Sequence, residues 1–129
     1  MQHLVSGLAL AGMALVGSVT TASAQGTIVD TMNGFGTIAR GSTVCVGPMK
    51  PGGPEGVQIF GFTNGQGALT WQVYSLPYDS PAILVFSTTT LGVDHTVPPT
   101  GDPFFQACVV KHAGVNQDFT LTINSSPVE

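Results

Sequence analysis

Charge is the scarcest property of this chain. Only 8% of its 129 residues are Asp, Glu, Lys or Arg, against roughly 25% in an ordinary globular domain. The basic residues are three, Arg40, Lys50 and Lys111, and they stand far apart. Nucleic-acid binding needs a cluster of cations to displace counterions from phosphates, so that function class is excluded. The same scarcity excludes docking on an anionic membrane surface. Helical periodicity is also missing beyond the first two dozen residues. Cysteine is limited to two residues, too few for a cysteine-based metal site.

Catalytic patterns are missing as well. There is no G-x-S-x-G turn, and no alternating-acid calcium loop. His95 and His112 are the only histidines after the N-terminal segment. Asp94 and His95 are adjacent, but neighbours on a strand point to opposite faces and cannot readily share a ligand. The carboxylates Asp30, Glu55, Asp79, Asp94, Asp102 and Asp118 fall mostly in expected loops. The expectation is a protein without enzymatic activity, metal or cofactor.

What is present begins with an export signature. Leu8–Val16 is apolar, Gly17–Ser23 is small and polar, and Ala22-Ser23-Ala24 is an A-x-A cleavage pattern. Residues 1–24 are therefore expected to be a signal peptide, with Gln25 as the mature N-terminus and no membrane attachment after cleavage. The apolar run is far shorter than the ~20 residues that span a bilayer. The predicted location is secreted, extracellular or at the cell surface.

Residues 25–129 suit one domain. In an exported chain Cys45 and Cys108 read as one disulfide. Closing a loop of 63 residues would restrict the unfolded chain by about 4 kcal/mol. The bridge also brings an early strand beside a late one.

Strand signals follow one another along this domain. Gly26–Thr31 and Phe35–Arg40 lean to β structure on either side of an Asn33-Gly34 turn signal. Ser42–Gly47 carries Cys45. Gly47–Gly56 holds three prolines and reads as a loop. Val57–Thr63 is a strand, and Asn64-Gly65-Gln66-Gly67 predicts a tight hairpin. Leu69, Trp71 and Val73 alternate with Thr70, Gln72 and Tyr74, which places Trp71 in the core. A turn is expected over Leu76–Pro81. Ala82–Phe86 is continuously apolar, as in a strand buried on both faces. Gly92–Pro103 reads as a Pro-rich connection, Phe104–Lys111 as a strand, and Phe119, Leu121 and Ile123 as the buried face of the last strand. About eight short strands with frequent turns predict an antiparallel β-sandwich of jelly-roll or immunoglobulin-like type.

Alternation leaves the side of the disulfide open. If Val44 and Val46 point inward with Phe105, Ala107 and Val109, the bridge lies outside the sheet. If the bridge points inward, Phe104 and Val110 join it.

The stretch Phe105-Gln106-Ala107-Cys108-Val109-Val110, then Gly114, then Asp118-Phe119-Thr120-Leu121-Thr122-Ile123, resembles the end of bacterial pre-peptidase C-terminal domains. That resemblance implies a secreted, jelly-roll-like sandwich acting as an accessory or binding unit.

The functional expectation is a secreted, non-catalytic binding or accessory module whose partner is a protein or polysaccharide. Tyr74 and Tyr78 are candidate exposed anchors, and Met49 and Lys50 lie in the Pro-rich loop. That loop, residues 47–56, could alternatively present a pre-organised strand to a protease, as inhibitors do. A second alternative is a self-assembling surface or filament subunit: Gly26–Thr31 would complete a neighbouring copy's sheet by strand addition, and scarce charge suits contact between copies. Asn124-Ser125-Ser126 matches the N-glycosylation pattern.

Overall fold

The computed structural model describes residues 7–8, 15–20, 30–65 and 67–125. Ten strands are present among them, and no helix. They are β1 (Gly7–Leu8), β2 (Leu15–Thr20), β3 (Asp30–Ile38), β4 (Thr43–Met49), β5 (Val57–Thr63), β6 (Leu69–Leu76), β7 (Ile83–Thr90), β8 (Gly92–Val97), β9 (Phe104–Val110) and β10 (Gln117–Ser125). One sheet has the order β1-β2-β3-β10-β5-β8, the other β4-β9-β6-β7. All pairings are antiparallel. From Asp30 onward the eight strands form the expected sandwich. The two earlier strands lie within the expected leader, with Leu15–Thr20 paired along β3. The A-x-A site and residues 26–29 lie outside the described residues.

The inner faces follow the period-two pattern. Ile59 from one sheet and Val73 from the other are fully buried, as are Val109, Leu121 and Ile123. Each such side chain contributes about 2 kcal/mol by leaving water. Trp71 sits among them at 0% exposure, and its indole Nε1 donates to the Thr90 carbonyl at 3.0 Å. Across from it, Gly61 on β5 has no side chain to spare: a Cβ there would lie 2.7 Å from Trp71 Cζ3 and 2.7 Å from the Thr120 carbonyl oxygen.

Cys45 and Cys108 are bridged and directly opposite one another on β4 and β9. Val46, Ala107 and Val109 point into the core. The disulfide therefore lies on the outer side of its sheet, and the core valines decide the matter.

Several local expectations give way to tertiary pairing. Asn33-Gly34 is not a turn but the middle of β3. Gly34 is bracketed by Val16 and Leu121, and two neighbouring strands override a local turn preference. Gly47-Pro48-Met49 belongs to β4 rather than to a loop. Proline is tolerated because β4 is an edge strand with an irregularity between Val46 and Met49. Asn64–Gly67 is not a hairpin, since β5 and β6 lie in different sheets and the turn crosses between them. Gly92–Val97 forms β8 within the expected connection. Ala82–Phe86 is not buried on both faces: β7 is an edge strand, and Ile83, Leu84 and Val85 are exposed.

Two measurements check this packing. Gly61→Ala should lower stability in urea by roughly 2 kcal/mol or more, the cost of overpacking against an immobile ring and carbonyl. Replacing both cysteines by alanine should cost about 2–4 kcal/mol, and alkylation of the untreated protein should add no mass.

Candidate ligand-binding face

The strands β3, β10, β5 and β8 lie side by side, so their outward residues form rows across the sheet. One row runs Phe35, Thr120, Phe62, Gly92. The next runs Asn33, Thr122, Phe60, Asp94. The third runs Thr31, Asn124, Gln58, Thr96. Phe35, Phe60 and Phe62 are 50%, 45% and 50% exposed. From strand spacing, this apolar strip extends about 10 Å across three strands.

The polar residues around the phenylalanines are tied together. Thr31 Oγ1 donates to Asn124 Oδ1 at 2.8 Å. Asn124 Nδ2 donates to Gln58 Oε1 at 3.1 Å. Gln58 Nε2 donates to Asp94 Oδ1 at 2.6 Å. The relay crosses four strands with every amide oriented the same way, ending on a carboxylate. Beside it, Thr122 Oγ1 donates to Asn33 Oδ1 at 2.8 Å, and Thr37 Oγ1 donates to Asp118 Oδ1 at 3.0 Å. Such linkage fixes side-chain rotamers before any ligand arrives, which reduces the ordering cost of binding. Asn124, the residue of the glycosylation triplet, is half-buried and engaged in this relay.

The residues singled out from sequence are not brought together. Tyr74 lies on the outer side of the other sheet, half-buried, with its hydroxyl donating to Gln72 Oε1 at 3.0 Å. Tyr78 is exposed in the β6–β7 turn. Lys50 is exposed beyond β4, but Met49 is a core residue at 4% exposure and so cannot form part of a binding surface. Its inward aim follows from the irregularity in β4, which shifts the alternation by one residue. The three phenylalanines were not singled out. The signal for two of them is present in Val57-Gln58-Ile59-Phe60-Gly61-Phe62: both rings fall on the opposite parity from Val57 and Ile59.

Other polar groups serve the scaffold. Ser75 is buried and donates to Asp102 Oδ2 at 2.6 Å, with Thr100 Oγ1 also 2.6 Å away. This cluster pins the β8–β9 loop to β6. His95 stacks on Phe86 with centroids 4.0 Å apart at 9°. Among the described residues no three His, Cys, Asp or Glu gather as metal ligands.

No family model matches the chain, and no curated protein matches it. Solved structures do. A chain from the crystal structure of CapF with the inhibitor 3-isopropenyl-tropolone aligns over 95% of this protein at 8% identity, TM-score 0.41. The match spans 31% of that chain, so this protein covers about a third of its length. The N-terminal cellulose-binding domain of Cellulomonas fimi β-1,4-glucanase C aligns over 88% of this chain and 76% of its own, at 16% identity and TM-score 0.30. The enzymatically active domain of bacteriophage CBA120 tailspike protein 4 aligns over 90% of this chain and 14% of its own, at 21% identity and TM-score 0.23. These are distant similarities, and the functional reading below rests on this protein's own face.

The face and the scaffold should respond oppositely to truncation. Phe60→Ala and Phe62→Ala should each change unfolding free energy by less than about 1 kcal/mol, as for surface positions. Ser75→Ala should cost about 1–3 kcal/mol by leaving Asp102 without its buried donor. Chemical denaturation of the three variants separates the two kinds of residue.

Proposed function

We propose that this protein is an exported, non-catalytic binding module whose ligand is a polysaccharide lying across the outer face formed by β3, β10, β5 and β8. The observation that carries this reading is the strip of Phe35, Phe60 and Phe62 set within an oriented amide and hydroxyl relay. Exposed apolar side chains grouped on one face among polar groups mark an interaction site. Flat rings suit the C–H faces of sugar rings, and the amides and hydroxyls suit their hydroxyl groups. A strip about 10 Å long fits an extended chain better than a compact small molecule. The disulfide is consistent with an oxidising, extracellular setting. Accessory binding is also what the resemblance to pre-peptidase C-terminal domains implies.

The test is retention on insoluble and soluble polysaccharides in affinity electrophoresis. The protein should be retarded by at least one of them. Phe60→Ala and Phe62→Ala together should weaken that retention by on the order of ten-fold or more, while Tyr74→Ala leaves it unchanged. Equal retention of the phenylalanine and tyrosine variants would remove this face from consideration.

One observation favours a second reading, a self-assembling subunit. β7 is an edge strand without charge or proline, and it exposes Ile83, Leu84 and Val85. Natural edges of this length are ordinarily protected by charge or proline as well as bulges, and β7 has only the irregularity at Val85. On this reading the protein sediments as oligomers and Leu84→Lys returns it to monomer. A wild-type monomer at high concentration excludes it.

A further inference from the structure

Where the β5–β6 and β9–β10 connections meet, the sandwich has an open cavity of about 540 Å³. Lys111, just past β9, forms part of its wall and is 2% exposed. Its Nζ donates to Gln117 Oε1, the one hydrogen-bond acceptor it has among the described residues. That amide is fixed in orientation, because Gln117 Nε2 donates to Thr63 Oγ1 and to the Gly67 carbonyl, each at 2.8 Å. An ammonium has three donors. Gln117 accepts one and, being neutral, leaves the charge unbalanced. Asp118 also borders the cavity, with its Oδ1 engaged by the Thr37 hydroxyl on the outer face. Gly114, at φ +91°, keeps backbone close to the ammonium: a Cβ there would lie 3.3 Å from Nζ. A buried cation with one neutral acceptor among the described residues, beside an open cavity, is a costly arrangement unless an anion completes it.

The cavity is joined to the face described above. A smaller hollow of about 110 Å³ is lined by Phe62, Thr120, Asn64 and Asp118. Asn64 and Asp118 border both spaces. A chain lying along β5 and β10, over Phe60 and Phe62, therefore runs toward the Lys111 cavity at the strand ends.

We infer that the cavity is a subsite for an acidic sugar, a uronate whose carboxylate meets the Lys111 ammonium from the cavity side. Asn64 and Asp118 are placed to meet the same sugar's hydroxyls, and the adjoining units lie over Phe62. This deepens the polysaccharide reading and rests on it for the polymer, but not for the carboxylate pocket itself. The net charge of −4 opposes an anionic ligand at long range. The preference must therefore come from Lys111, and added salt should not abolish it as it abolishes binding to a basic patch.

The experiment compares polygalacturonate with its fully methyl-esterified, neutral form. The wild type should bind the acid form on the order of ten-fold more tightly. Lys111→Met, which keeps the aliphatic stem, should lose that preference while still binding the neutral polymer. Lys111→Arg should retain part of it. Free galacturonate titrated into the ¹⁵N-labelled protein reads the pocket alone. It should shift the amides of Gly114 and Asn116 in the wild type and in the Phe60→Ala, Phe62→Ala double variant, but not in Lys111→Met. Equal binding of acid and ester, with no shifts from galacturonate, would overturn the acidic subsite and leave the phenylalanine face standing. Shifts from galacturonate with no binding of any polymer would support the pocket and overturn the extended face.

Discussion

The indole of Trp71 lies against the bare backbone of Gly61, and the two sheets meet around that contact. Trp71 belongs to β6 and Gly61 to β5, on opposite sides of the sandwich, and a single methyl group at position 61 would collide with both the ring and the Thr120 carbonyl. Its closeness sets which way β5 faces. Once Gly61 points inward with Val57 and Ile59, period-two alternation leaves Gln58, Phe60 and Phe62 no choice but the outer side. The phenylalanine face is thus a consequence of the core rather than an addition to it.

The same inward constraint fixes β10 and β3 through register. Phe119, Leu121 and Ile123 fill the core, so Thr120, Thr122 and Asn124 face outward beside Phe62, Phe60 and Gln58. The relay from Thr31 to Asp94 forms because four strands of different sequence position arrive at matching heights. A one-residue slip in any of them would turn its polar residues into the core. The disulfide follows the same logic on the other sheet, where inward Val46, Ala107 and Val109 push Cys45 and Cys108 to the outside.

Much of this was legible in the residues themselves. The all-β sandwich, the paired cysteines, the Val57–Thr63 strand and the buried alternation through Trp71 and Leu121 all follow from local pattern. Tyr74 and Tyr78 were singled out because tyrosine is the residue type that anchors surfaces, yet the structure groups phenylalanines instead. Phe35 is separated from Phe60 by 25 positions of chain and met only through β10. The burial of Lys111 had no local signal at all, since its fixed partner Gln117 is oriented by Thr63 and Gly67, which come from another part of the chain.

Sequence alone determined the all-β character, much of the alternation of inner and outer residues and the identity of the bridge, because these depend on period-two geometry and on residue chemistry within a few positions. Tertiary structure decided which turn signals were obeyed, which strands became edges and which outward residues became neighbours. Asn33-Gly34 stays extended because β2 and β10 pair on both sides of it, and Ile83, Leu84 and Val85 are exposed on β7, the edge strand of its sheet. The physical reason is the same in both cases: a backbone hydrogen-bond ladder and a shared apolar interior couple residues distant in sequence, and their combined free energy exceeds the preference of any one dipeptide.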